Sequence, residues 1–68
     1  MVTNPIVSIG VPVFNSEATV LDSLNALRNQ SYQNIEIIIG DNASTDNTEA
    51  ICRRFAQSDE RCTYYRLD

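Results

Sequence analysis

The segment from Ile35 to Thr48 constrains the fold of this chain more than any other. It reads IEIIIGDNASTDNT, an apolar run that ends in an aspartate and continues as polar, turn-prone residues. Because the isoleucines are β-branched and the run is short for a helix, it predicts a β-strand. Apolar residues at successive positions indicate burial on both faces, which is typical of a parallel sheet covered by helices.

Asp41 follows this strand at its carboxyl end. Ligands of open parallel sheets bind at that edge, so the carboxylate is placed to accept a hydrogen bond from a small ligand. Asp also favours turns, and the alternative role of Asp41 is to cap the loop that follows. The residues alone leave both roles open.

A second strand and a helix precede the central segment. Ile6 to Val11 predicts a strand with apolar residues on both faces, and Pro12 should end it because proline cannot donate to a sheet. The period then becomes helical from Ser16 to about Asn29. Either Asn15 or Ser16 would be the N-cap. The apolar face of this helix consists of Val20, Leu21, Leu24 and Leu27.

The rest of the chain predicts one more helix and one more strand. The helix should start near Asp46, where Asp46 and Glu49 have the spacing of a capping box, and end around Gln57 to Asp59. Cys62 to Leu67 alternates and carries Thr and Tyr, which predicts a third strand. The resulting β-α-β-α-β order predicts parallel strands with the Ile35 strand in the centre. Such a unit is one mononucleotide-binding half of a doubly wound sheet, and its first strand would be an open apolar edge.

Composition excludes several classes of function. The net charge is −4, so clustered positive charge for a nucleic-acid backbone is missing. No apolar run approaches the length of a membrane span, and we expect no signal peptide. The chain has no His, which excludes Ser-His and Cys-His catalytic pairs. Cys52 and Cys62 are expected to be reduced thiols of a cytosolic protein.

Several short motifs occur in a fixed order along the chain. They are Pro12-Val13-Phe14-Asn15, then Glu17, then Ser31-Tyr32, then Asp41 to Asp46. In this order and spacing, the sequence from Ile6 to Leu67 resembles the opening of the family 2 type of glycosyltransferase with a GT-A fold. The fold class that the resemblance implies is α/β, with β-α-β-α-β forming half of a Rossmann-like GT-A parallel sheet.

The resemblance also implies a nucleotide site across the carboxyl ends of the first two strands. Asp41 would accept a hydrogen bond from the base, such as the imide N–H of uracil. Phe14 would pack near the base, although it could also be a hydrophobic plug, and Glu17 would approach the ribose or only complement the helix dipole. The nucleotide-binding residues implied in this way are Pro12, Val13, Phe14, Asn15, Glu17, Asp41 and Asn42.

The chain departs from the family pattern at three positions. Phe14 replaces a tyrosine and keeps the ring, whereas Asn42 replaces a second aspartate and removes a charge. Ala43 replaces a glycine, and because alanine enters the left-handed region less easily, the loop is expected to take a different path.

The implied function is that of a part of an enzyme. Residues 1–68 would be the N-terminal nucleotide-sugar-binding part of a glycosyltransferase domain. The donor would be a UDP- or TDP-sugar, and the acceptor a hydroxyl of a sugar or lipid-linked acceptor. The divalent metal (Mn²⁺ or Mg²⁺) would be held beyond Asp68, where the general base would also lie. The chain itself would contain no catalytic residue and no metal ligand.

The expected location is the cytoplasm, or the cytoplasmic face of a membrane for a full-length protein. An alternative function is a non-catalytic βαβαβ switch or interaction module. A receiver-like switch would need a downstream Lys, and the chain has none.

Overall fold

The computed structural model describes residues 6–67, and the elements follow the predicted order. Residues 1–5 and 68 lie outside the described residues. The two ends of the predicted domain, which was expected to comprise residues 1–68, are therefore not described. The elements are β1 (Val7–Val13), α1 (Val20–Arg28), β2 (Ile35–Asp41), α2 (Thr48–Ser58) and β3 (Cys62–Arg66).

The described strands form one parallel sheet in the order β1-β2-β3. Ile37 of β2 lies level with Ile9 on one side and with Cys62 on the other. The central position of the Ile35 strand and the parallel direction are therefore confirmed. The strand carries Asp41 to the carboxyl edge of the sheet, at the level of Val13 in β1 and Arg66 in β3.

Among residues 6–67, helices cover only one face of the sheet. On that face Ile35, Ile37 and Ile39 are buried, whereas Glu36 is exposed and Ile38 is half-buried on the other. Two right-handed crossovers that advance in the same direction along a sheet place both helices on the same side. The prediction that β2 is buried on both faces is therefore wrong for this chain. The core consists of Val13, Val20, Leu24, Ile35, Ile37, Ile39, Cys52, Phe55 and Cys62.

Strand β1 is the edge of the sheet and runs two residues past its predicted end. Val7 donates its backbone N–H to the Asn34 carbonyl, and the Val13 carbonyl accepts from the backbone N–H of Asn42. The backbone N–H and C=O groups of the odd-numbered residues of β1 therefore point toward β2, and those of the even-numbered residues point to the open edge. The ring nitrogen of Pro12 consequently points to the open edge, where no ladder partner is lost. The prediction that the first strand is an open apolar edge is confirmed, since Ile6 and Val7 are exposed and Val13 is the one buried residue of β1.

Both helices begin later than the sequence predicts. The carbonyl of Ser16 accepts from Thr19 and Val20, and regular helix starts only at Val20. Leu21, predicted on the apolar face, is exposed. In α2, Glu49 pairs with Arg53 and Arg66 and does not return to the backbone at Asp46, so the capping box is not formed.

Two further predictions concern the state of the two cysteines and the presence of a membrane-spanning segment. Cys52 and Cys62 are free and buried, and burial raises the pKa of the Cys52 thiol to about 11. Within residues 6–67, no helix has the length and apolar character needed to cross a membrane.

Candidate nucleotide site

Two loops meet at the carboxyl edge of the sheet. Residues 14–19 join β1 to α1, and residues 42–47 join β2 to α2. Each loop contains one residue in the left-handed region, Asn15 with φ 46° and Ala43 with φ 58°. Asn tolerates this conformation because its side chain can bond locally, whereas Ala adopts it at a cost of about 1–2 kcal/mol. Ala43 nevertheless occupies the left-handed region, and the neighbouring hydrogen bonds explain how this conformation is held, while a loop path different from that of the family stays a prediction.

Asn15 joins the two loops. Its side-chain Oδ1 accepts from the backbone N–H of Thr45 at 2.8 Å and of Asp46 at 3.4 Å. Its own backbone N–H donates to Ser44 Oγ at 2.9 Å, and the next N–H, of Ser16, donates to Thr48 Oγ1 at 2.7 Å. We call these contacts, which join the first loop to the second loop and to the first residue of α2, the loop network. Because the Asn15 side chain bonds to the other loop, it does not cap α1 as predicted.

Asp46 supports the same junction from the second loop. Its Oδ1 accepts from the backbone N–H of Thr48 at 2.9 Å and from the Thr48 hydroxyl at 2.5 Å, and its Oδ2 accepts from the N–H of Glu17 at 3.3 Å. Desolvation alone would raise the pKa of Asp46, but these hydrogen bonds hold it below the ordinary value. Asp46 thus satisfies one backbone donor in the turn before α1 and one at the start of α2.

Asp41 is fully buried beneath the loop network. Its Oδ1 accepts from the backbone N–H of Ser44 at 2.9 Å and from Ser44 Oγ at 2.6 Å. Its Oδ2 accepts from Tyr64 Oη at 2.5 Å and lies 3.7 Å from the Arg66 guanidinium. Desolvation would raise the pKa of Asp41, but the bonds from Ser44 and Tyr64 and the charge of Arg66 outweigh it and lower the pKa. The geometry includes the loop-capping role that the sequence left open, while a role toward a nucleotide stays a prediction.

Sequence reasoning missed two residues of β3 that reach this edge. The Tyr64 hydroxyl donates a hydrogen bond to Asp41. Burial is the larger cause and this hydrogen bond the second cause that raise the pKa of Tyr64 to about 12. Arg66 donates through one terminal nitrogen to the Ser44 carbonyl at 3.0 Å and to Glu49 at 3.3 Å. The alternation of β3 puts both residues on one face, but only the register with β2 shows that this face meets Asp41.

The remaining predicted residues form the outer surface of the edge. Pro12, Phe14 and Asn42 are exposed, and the Phe14 ring is 57% exposed. Val13 is buried, so only its backbone is available, and its carbonyl accepts from Asn42 at 2.9 Å. Glu17 is exposed and accepts from the Asn47 amide at 3.3 Å.

A metal site is not evident in the described part of the chain. Among residues 6–67, no group of three or more His, Cys, Asp or Glu side chains is arranged to hold a metal ion. The carboxylates of Asp41 and Asp46 are already engaged by protein donors.

Comparison with known proteins identifies the family to which this sequence belongs. The sequence model described as "Glycosyl transferase family 2" matches residues 8–68. The chain belongs to this family. The predicted resemblance is thus confirmed, and the βαβαβ unit is the start of a glycosyltransferase fold.

Individual relatives agree with this assignment. The glycosyltransferase GlyG of Streptococcus pneumoniae is 39% identical over 82% of this chain and 19% of its own length. A GalNAc(5)-diNAcBac-PP-undecaprenol beta-1,3-glucosyltransferase of Campylobacter jejuni is 30% identical over 90% of this chain and 20% of its own. This family 2 chain therefore spans about a fifth of the length of these relatives.

A solved structure confirms the fold. A mannosyltransferase from Pyrobaculum calidifontis, in complex with GDP-Man and Mn²⁺, superimposes with a TM-score of 0.78 at 28% identity. The match covers 88% of this chain and 19% of that chain. The prediction of a Rossmann-like half of a GT-A sheet is confirmed by this similarity.

Proposed function

We propose that this chain is the N-terminal, nucleotide-sugar-binding part of a glycosyltransferase domain and that its two carboxyl-edge loops receive the donor nucleotide. The whole domain would transfer a sugar from the donor to an acceptor hydroxyl. Family membership and the nucleotide-sugar complex of the mannosyltransferase support this proposal. The open apolar edge of β1 supports the view that a complete domain contains more strands.

One observation carries the proposal for the site. The loop network fixes the loop after β1 against the loop after β2, at the edge where ligands of parallel sheets bind. A preformed edge saves a ligand the cost of ordering the loops. The exposed Phe14 ring beside Asn15 offers an apolar surface for a base, and an exposed carboxylate at Glu17 suits ribose hydroxyls.

The finer identity of the donor is a proposal that rests on the family resemblance. We propose a UDP-sugar, with a TDP-sugar next, and guanine is the alternative base because the mannosyltransferase relative is bound to GDP-Man. A divalent ion, Mn²⁺ or Mg²⁺, would neutralise the diphosphate and would be held by residues other than those described here. The acceptor would be a sugar or a lipid-linked acceptor. The full-length protein would act in the cytoplasm or at the cytoplasmic face of a membrane.

The test is a nucleotide titration of the 68-residue chain followed by amide NMR. UDP, TDP and GDP would be added separately, with and without Mn²⁺. We expect UDP to shift the amides of Phe14, Asn15 and Asn42. A dispersed spectrum that ignores every nucleotide would contradict the proposal and favour the non-catalytic module.

A matched pair of aromatic variants locates the binding surface. Phe14 and Tyr65 are exposed to nearly the same extent, 57% and 56%, but Tyr65 lies on the uncovered face of the sheet, level with Gly40. Because a base stacked on an aromatic ring is worth about 1–3 kcal/mol, Phe14→Ala should weaken UDP binding about tenfold. Tyr65→Ala should leave it unchanged. Equal effects of the two variants would remove Phe14 from the site.

A further inference from the structure

The buried aspartate beneath the loops has little capacity left for a ligand. Asp41 Oδ1 already accepts two hydrogen bonds from Ser44, and a carboxylate oxygen has two lone-pair sites. Its Oδ2 accepts from Tyr64 and faces Arg66, and the whole residue has no exposed surface. A nucleotide could reach this buried carboxylate only if Tyr64, Ser44 or Arg66 were displaced.

The hydrogen bonds of Ser44 have a fixed direction. Its hydroxyl has one proton, which it donates to Asp41, so it must use a lone pair to accept the backbone N–H of Asn15. The bonds therefore run in one continuous series from Tyr64 in β3, through Asp41 in β2 and Ser44, to Asn15 after β1. This series, which we call the relay, ends next to Phe14.

Arg66 fastens the same loop from β3. It donates to the Ser44 carbonyl at 3.0 Å, so Ser44 is held at its hydroxyl, its N–H and its carbonyl. The third strand thus controls the path of a loop that begins on the second strand and contacts the first. Neither Tyr64 nor Arg66 belongs to the set of residues that the family resemblance implies.

We propose that Tyr64 is a positioning residue of the nucleotide site, and that Asp41 acts on the nucleotide through Ser44 and the Asn15 loop rather than by direct contact. This inference rests on the proposed nucleotide-binding function. It gives each member of the relay a separate task. Tyr64 orients the carboxylate, the carboxylate orients Ser44, and Ser44 fixes the backbone that leads to Phe14.

The decisive variant is Tyr64→Phe, which removes one hydroxyl and keeps the ring. Since hydrogen bonds to charged groups are among the stronger ones, we expect the Kd for UDP to rise about tenfold. The amides of Ser44 and Asn15 should also shift in the absence of nucleotide. Tyr65→Phe is the matched control, and it should change neither the Kd nor these amides.

Direct contact makes the opposite prediction. If the base bonded to Asp41, Tyr64→Phe would free Oδ2 and would leave the Kd unchanged or lower it, which would overturn the inference. Ser44→Ala breaks the relay at the next link and should also raise the Kd. The double variant should then be no worse than the worse single one, because both act through the same series. Additive effects would contradict a shared relay.

The outcomes also separate this inference from the function on which it rests. Wild-type chain that is folded but binds no nucleotide would overturn the proposed function; the nucleotide-free Asn15 amide in Tyr64→Phe would then report on the relay alone. Wild-type binding with an unaffected Tyr64→Phe variant would overturn only the relay. A wild-type spectrum without dispersion would overturn the relay, because the geometry that carries it would not be populated in solution. Urea midpoints of each variant show whether a change in Kd is only a loss of folded protein.

Discussion

Strands β1 and β2 have similar apolar sequences but very different surroundings. Ile37 and Ile39 of β2 have no exposed surface, whereas Val7 of β1 is 45% exposed and Ile9 is half-buried. Both strands belong to the same parallel sheet and pair with each other along their length. The difference arises from position, since β2 has a strand on either side and helices over one face, while β1 is an edge.

The comparison shows what an apolar run does and does not predict. It predicts that a segment will be a strand, because β-branched residues fit a pleated surface. It does not predict how much of that strand a given chain covers, because burial depends on the neighbouring elements. The apolar surface of β1 is what an interior strand would need, and this chain alone does not bury it.

The largest expected effect is on the central strand. Ile37→Ala should lower the free energy of unfolding by about 2–5 kcal/mol, because it removes fully buried methyl groups and leaves a cavity. Val7→Ala on β1 is the matched change and should cost less than about 0.5 kcal/mol. Urea unfolding followed by circular dichroism measures both. Similar losses would show that β1 is covered in solution.

Asp41→Asn tests how the carboxylate at the end of β2 contributes to the stability of the fold. The pKa of Asp41 is lowered in the folded chain, so its contribution to stability is present above its unfolded pKa of 3.8 and is lost as the pH falls through the folded value. The variant should therefore lose stability at pH 7 and show a shallower fall in acid. Some fall should remain, because the pKa values of Asp46 and Asp59 are lowered too. Urea midpoints from pH 7 to pH 2 would contradict this if the variant and wild type ran parallel.

The loop that follows the edge strand β1 is held by hydrogen bonds of Asn15 rather than by burial. Asn15→Gly keeps the left-handed backbone and removes the side-chain acceptor, so it should cost about 1 kcal/mol. Asn15→Ala loses the acceptor and also meets the steric cost of positive φ, about 1–2 kcal/mol more. The two variants would be compared by thermal unfolding. An alanine variant as stable as the glycine variant would mean that the loop has changed its conformation.

The smallest effect on stability is expected along the open edge. Val7→Lys should change the free energy of unfolding by less than about 0.5 kcal/mol, since the position is exposed. It should, however, reduce self-association, because a lysine on an edge strand opposes pairing with another chain. Sedimentation velocity at increasing concentration measures this. Unchanged association would show that the β1 edge is not the surface through which copies meet.

Much of the fold could be predicted from the sequence because it depends on local patterns. The switch from strand to helical period gave the element order, and short crossovers gave the parallel sheet. The limits of α1 could not be predicted, because the Ser16 N–H bonds to Thr48, 32 residues further along the chain. Likewise, Pro12 suggested a strand end because the sequence does not show that its ring nitrogen faces an open edge.

The site was predictable where residues act by their position in the chain. Asp41, Asn15 and Glu17 all lie at the carboxyl edge, as their places after the strands predict. The burial of Asp41 was not predictable, because it depends on Tyr64 and Arg66, which approach through the register of β3. Side chains that meet across strands leave no fixed spacing in a sequence.

The loop network also has a consequence for the order in which the molecule forms. Its contacts join residues about 30 positions apart, and such non-local contacts form only after the intervening chain has closed. During synthesis, the first loop cannot take its final shape until Thr48 has been added and the second βα unit has begun to fold. If the edge binds a nucleotide as proposed, the bound nucleotide would therefore report that both βα units have come together.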